Sequence, residues 1–319
     1  MSILELYLRL KNRQIEHNFE VTPIDVFPGT YLGINSDGWP AFFSDPSPNM
    51  SRGPLMRTSH VTLGLGIDYV ISILGQSPLT VRLDSLVCES NEDLDRHVFL
   101  SLLEGFLGFL QERKIKRSEL VDFFLSVSRL FSITPANDFR EERQGLWGEL
   151  FFMSRVKGFK FWLPYWHSDP SRTFDFTNNN KRIEVKTSVR SERIHHFSHR
   201  QLYSFGEEEI VIASIMLRKE EAGVSLKTLI DLARGEVSNE SQLIKLARAV
   251  RMSRMEDSNE EGPLFDETEA EKSLAFFWAK DSPHFGMPEP AGVTQTHYRV
   301  DLSTAPTIEL ADIEVWLTN

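Results

Sequence analysis

Asp175, Glu184 and Lys186 stand close together in FDFTNNNKRIEVKTS, residues 174–188. The three asparagines between the acids suit a tight turn, because Asn tolerates positive φ better than most residues. A turn centred between Asn179 and Asn180 opposes Asp175 to Glu184 in an antiparallel hairpin, with their Cβ atoms about 5 Å apart. Alternation along the strand then puts Lys186 on the same face and turns Ile183 and Val185 toward the core. Like charges directly opposite each other destabilise a sheet, so this register calls for a counter-charge. Mg²⁺ supplies one, since a small hard cation takes one or two carboxylates and completes its shell with water and phosphate. The chemistry expected of such a cluster is phosphodiester hydrolysis. The metal would lower the pKa of a bound water and offset charge on the phosphorus centre, while Lys186 orients or helps deprotonate that water.

A fourth candidate is Glu149 in QGLWGELFFM. On a helical wheel it falls between Met153 and Val156, on the broad apolar face of Leu146 and Leu150. A carboxylate there is costly unless paired, hydrogen-bonded or near a metal. The plainer alternatives stay open: an E-x-K tripeptide is often a solvated strand face, and Glu149 at the edge of a core face could bond Arg155 or Lys157.

The formal net charge of -11 disfavours nucleic acid over the chain as a whole. Residues 181–200 run the other way, with six Lys or Arg against two Glu and three histidines besides. Lys181, Arg182, Arg190, Arg193 and Arg200 are candidates for phosphate contacts, which position a duplex without reading it. His195 and His199 have the spacing of a zinc pair on one helix. Ser198 and Gln201, however, form an S-x-x-Q capping box that starts a helix between them, so His195, His196 and His199 are read as phosphate-facing. Gln201 serves as a cap or reaches the active site or the nucleic-acid substrate.

The elements that must carry these groups are legible in outline. Residues 61–73 have apolar side chains at every odd position, one buried sheet face, and LTVRLD from Leu79 repeats the pattern. Gly64 and Gly66 lack the third glycine of a dinucleotide fingerprint. Helices are expected at 94–111 and 118–131, completing an N-terminal α+β module over residues 1–136. TPAND, residues 134–138, marks a boundary. Residues 137–319 form the second domain. It has a helix near 139–157, a strand near 159–165, the hairpin 173–188, a short helix from 199 and a strand at 209–217. Helices follow near 225–234 and 239–252, then a solvated acidic loop at 255–272 and two short strands around 297–311.

Glu149, Phe174-Asp175 and Glu184-Val185-Lys186 on an α-β-β-β-α-β plan resemble the PD-(D/E)XK nuclease superfamily. GLWGELFF, FDF, IEVKTS and SHRQL are similar to a bacterial family of PD-(D/E)XK proteins of about this length, associated with restriction and phage-defence loci. The resemblance implies an α/β, restriction-endonuclease-like core with a mixed sheet. It implies a metal-dependent endodeoxyribonuclease in which Asp175, Glu184 and the Val185 carbonyl hold Mg²⁺, with Mn²⁺ able to substitute. Lys186 would serve the water and Glu149 would be an auxiliary carboxylate. The implied partners are DNA, a second copy of the chain, or companion proteins of a defence system. Phe174 stands where the namesake proline would be. A nuclease fold that grips DNA or a partner without cutting is the alternative, and a scaffold whose acidic surface binds basic proteins is another.

Cys88 is the only cysteine, which excludes an internal disulfide and a cysteine-based zinc cluster. No signal peptide is expected at the N-terminus, and no apolar run approaches the ~20 residues of a membrane span. A reducing cytoplasm fits these features.

Overall fold

A computed structural model of the chain describes residues 2–12, 15, 18–46, 52–73, 76–110, 114–132, 140–169, 172–204, 206–253, 263–293 and 295–318. The protein is mixed α/β and divides into two compact units, residues 1–135 with 239–247, and residues 136–238 with 248–319. The TPAND stretch lies outside the described residues. Among the described residues no helix is long and apolar enough to cross a membrane.

The first unit opens with helix α1 (Ile3–Lys11), whose start is set by Ser2, as its side chain accepts from the Glu5 N–H and its N–H donates to the Glu5 carboxylate. Six strands follow: β1 (Phe19–Pro23), β2 (Thr30–Ile34), β3 (Pro40–Ser44), β4 (Leu55–Arg57), β5 (Val61–Ile73) and β6 (Leu79–Cys88). Their order is β1-β2-β3-β6-β5-β4, and β1 also pairs in parallel with the end of β5, so the sheet curls back on itself. Helices α2 (Asp93–Phe109) and α3 (Arg117–Phe131) bury stripes of Leu and Phe and meet through Phe106 stacked on Phe123 at 4.3 Å.

The unbroken apolar alternation of residues 61–73 does not make a single face. Leu63 pairs with Leu86 and Ile67 with Leu83, which places one extra residue in β5 between Gly64 and Ile67. Because Leu83 and Leu86 differ in parity, Leu63 and Ile67 face opposite sides of the sheet. Gly66 adopts a φ of 62° at this bulge and donates its N–H to buried Asp84, which also pairs with Arg117 at 2.8 Å.

The second unit begins with helix α4 (Arg140–Arg155) and the short helix α5 (Phe159–Trp162). Residues 159–165 are therefore not a strand. Phe159, Trp162, Leu163 and Trp166 are all buried, at the three- and four-residue spacing of a helix. Next come β7 (Phe176–Asn178), β8 (Lys181–Ser188), β9 (Ile194–Ser198), α6 (His199–Leu202), β10 (Glu209–Met216) and β11 (Lys219–Val224). The α-β-β-β-α-β order is thus present with β9 as its third strand. The remaining elements are α7 (Leu226–Gly235), α8 (Glu240–Ser253), whose residues up to Ala247 count with the first unit, α9 (Glu267–Ser273), β12 (Ala275–Trp278), β13 (His297–Asp301) and α10 (Leu310–Thr318).

A four-stranded sheet, β12-β10-β8-β7, forms the frame, with β10 parallel to β8 and both outer strands antiparallel. Residues 210–215 of β10 are buried at every position, as expected of a central strand covered on both faces. β9 leaves this sheet and pairs with β13 in a separate ribbon. Two late expectations are corrected. Only the first of the strands near 297–311 exists, since the chain turns into α10 from Leu310. Of the acidic segment 255–272, residues 255–262 lie outside the described residues, and the part from Glu267 is helical, capped by Asp266 accepting from the Glu269 N–H at 3.0 Å.

Candidate active site

The hairpin is set by its turn. Asn179 adopts a φ of 54°, and Asn178 pairs with Lys181, Thr177 with Arg182 and Phe176 with Ile183. One step further opposes Asp175 to Glu184. The Asp175 carboxylate accepts the Val185 N–H at 2.7 Å, which ties it to β8. Glu184 is buried, and its Oε1 takes the Lys186 ammonium at 2.7 Å and the Gln201 amide at 2.6 Å. Its other oxygen, Oε2, is also buried and has no hydrogen-bond partner among the described residues.

Glu149 comes from α4, two turns into the helix, and its carboxylate accepts from the Trp166 indole at 2.6 Å. Arg155 bonds Glu267 instead. α4 can lie close over β8 because Gly148 faces Thr187, where a Cβ would stand 2.2 Å from the Thr187 methyl. Gly148→Ala is therefore expected to cost about 1–3 kcal/mol by overpacking. Thr187→Ser in the same chain should recover most of it, and equal urea midpoints for the single and double variants would exclude the contact as the cause.

All three carboxyls are raised, burial being the first cause for each. Burial, weakened by the Trp166 bond and reinforced by Glu184, lifts Glu149 to about 7. Burial and then the charges of Glu184 and Glu149 hold Asp175 well above the usual carboxylate range. Burial also raises Glu184, against the pull of Lys186. For Lys186 burial acts downward, but Glu184, Asp175 and Glu149 together outweigh it and keep the ammonium charged. One cation thus faces three acids.

Glu149, Asp175 and Glu184 border a cavity of about 280 Å³, lined also by Glu142, Arg172 and Gln201. Gln201 does both things open to it in the sequence. Its Oε1 accepts the Ser198 N–H at 2.9 Å to start α6, and its amide donates to Glu184 and to the Thr173 carbonyl. Sequence reading passed over Trp166, the donor to Glu149, and Glu142. The seven-residue spacing of Glu142 and Glu149, two turns on one helix face, was a usable signal for the latter.

The basic segment is divided by the fold. Lys181 donates to the Trp316 carbonyl and lies over its ring, and Arg182 pairs with Glu208 at 2.8 Å. Arg193 reaches Ser214 and the Ser273 carbonyl. His195 is buried against Ser214 Oγ at 2.8 Å, and burial together with Lys186, Arg193 and His196 lowers it to about 4, so it is neutral at pH 7. His199 is buried on α6 between Tyr298 and the Met287 carbonyl. His195 and His199 therefore sit on different elements with different partners. Arg190, His196 and Arg200 are exposed.

The residues suit a hard divalent cation. Neighbouring carboxyls whose ionisation is opposed by burial, and a buried Glu184 oxygen without a donor, are what such an ion would satisfy. Among the described residues no three His, Cys, Asp or Glu side chains form a metal-holding group, so an ion here would depend on two carboxylates, a backbone carbonyl, water and substrate.

Comparison with curated proteins and with solved structures returns no match. A family described as "Putative PD-(D/E)XK family member" matches residues 66–303. That span takes in Glu149, Asp175, Glu184 and Lys186, and it covers most of the chain, which therefore belongs to this PD-(D/E)XK family.

Proposed function

We propose that the protein is a divalent-metal-dependent endodeoxyribonuclease that hydrolyses DNA phosphodiester bonds, acting in a restriction or anti-phage setting. The observation that supports it most is the convergence of Glu149, Asp175 and Glu184 on Lys186, with Glu184 left one oxygen short of a partner. Asp175, Glu184 and the Val185 carbonyl would hold Mg²⁺, or Mn²⁺ in its place. Such an ion, when bound, activates a water and neutralises charge developing on the phosphate.

The chain's own groups have separable tasks. The Val185 N–H fixes Asp175, and Gln201 fixes Glu184 from the opposite side. Trp166 orients Glu149. Lys186 orients the attacking water, and its protonation follows its neighbours. While the carboxylates carry their charge it stays an ammonium; once that charge is neutralised, burial is the influence left and draws its pKa down toward a value at which it accepts a proton.

Incubation with supercoiled, linear and single-stranded DNA in Mg²⁺, Mn²⁺ or EDTA tests the assignment. Cleavage is expected with either metal and none in EDTA. Asp175→Ala is expected to abolish it. Intact DNA under every condition would leave a fold that binds without cutting.

A further inference from the structure

Residues 283–293 form a loop without regular secondary structure that holds three large apolar side chains in water: Phe285, 61% exposed, Met287, 65%, and Val293, 45%. The loop is nonetheless fastened. The His199 ring donates from Nε2 to the Met287 carbonyl at 2.9 Å, and the His199 N–H donates to the Thr296 carbonyl at 2.8 Å. The Glu289 carboxylate accepts the Thr296 N–H at 3.0 Å, and Phe285 meets Tyr298 edge-on at 5.1 Å. The two bonds of His199 lead to the start of α6, and Tyr298 lies in β13. Two residues after His199, Gln201 holds Glu184. A continuous set of bonds thus joins the exposed loop to a catalytic carboxylate.

The surroundings of the loop are basic in a chain whose net charge is -11. In the β9–β13 ribbon His196 lies opposite Arg299 and Ser198 opposite His297, and His196, His297 and Arg299 are exposed. Arg200 is exposed on α6. Of the nearby acids, Glu289 is occupied by Thr296 and Asp301 by Ser303, and those bonds hold both carboxyls below the usual range. Protein-binding patches are depleted of charge at their centres. Aromatic and thioether side chains set among cations suit nucleic acid, where cations meet phosphates and apolar groups stack on bases or wedge between them.

We propose that this loop is the part of the site that engages DNA bases. Phe285 and Met287 enter between base steps beside the phosphate to be cut, and Arg200, Arg299 and the ribbon histidines hold the flanking backbone. The inference rests on the nuclease reading for the cut itself, but not for the contact.

The test uses the full chain and a duplex carrying 2-aminopurine at successive positions, with Ca²⁺ and again with EDTA. Binding of the unaltered protein is expected to raise the fluorescence at one or two positions. Phe285→Ala with Met287→Ala should remove that rise and weaken binding about ten-fold or more. Arg299→Ala should weaken binding and reduce its salt dependence while leaving the rise in place. Both substitutions are on exposed side chains, and circular dichroism checks the fold. The proposal is overturned if the double variant binds and brightens like the parent, if the parent binds no DNA, or if the double variant changes the oligomeric mass without DNA, which would make the loop a self-interface. Brightening without cleavage in Mg²⁺ would instead leave this contact standing and remove the catalytic reading.

Discussion

Lys186→Ala is expected to lower the proposed Mg²⁺-dependent cleavage about 10²–10⁴-fold, the range for removal of a positioned proton-transfer group, and to leave DNA association in place. The ammonium touches Glu184 at 2.7 Å and lies over the Phe197 ring at 5.3 Å, so its position is set from two sides. Its loss removes the cation that, among the described residues, offsets Glu149, Asp175 and Glu184. The carboxyls then rise further and take up protons, which spares the fold most of the cost of leaving buried charge unpaired. Lys186→Arg separates the two roles, because a guanidinium keeps the charge but does not give up its proton. If Lys186 only balances charge, Arg restores the rate; if it also moves a proton, Arg stays slow. Single-turnover cleavage beside thermal melts distinguishes these cases, and a rate within a few-fold of the parent for Lys186→Ala would remove Lys186 from the chemistry.

Glu149→Gln is expected to make the metal-free protein more stable above pH 7 and to change little near pH 4. The Glu149 carboxyl holds its proton up to about 7 in the folded chain, against an ordinary value of 4.5. Between those values the folded state binds more protons than the unfolded state, so stability contributed by this group is present at low pH and lost as pH rises through 7. Gln carries no such proton and can still accept from the Trp166 indole. The difference grows to about 3 kcal/mol at most, the free energy of a shift of that size. Urea unfolding in EDTA at several pH values measures it. An offset that does not vary with pH would mean that burial of the Glu149 charge is not what strains the site. Divalent metal added above pH 7 should narrow the gap, because it compensates the same charge.

Much of the hairpin was legible because its information is local. Asn179 and Asn180 fix the turn, the turn fixes the register, and strand alternation then places Asp175, Glu184 and Lys186 without reference to anything distant. The mistaken strand at 159–165 came from an apolar run read without its spacing, in which Phe159, Trp162, Leu163 and Trp166 mark helix. The bulge in β5 was hidden for a different reason. An extra residue leaves the alternation of the sequence intact and shows only in the partner strand, where Leu83 and Leu86 face opposite ways.

By itself the sequence determined the turn, the spacing of the charged groups and the apolar face that carries Glu149, since each depends on neighbours a few residues away. Only the tertiary structure decided which cations remain exposed. Lys181 and Arg182 are held by Trp316 and Glu208, and Arg193 by Ser214, partners between 21 and 135 residues distant. It likewise joined Gln201 to Glu184 and the loop of Phe285 to His199. A charge run records that cations are present, whereas whether each meets solvent or a protein oxygen is set by which distant segments pack against it.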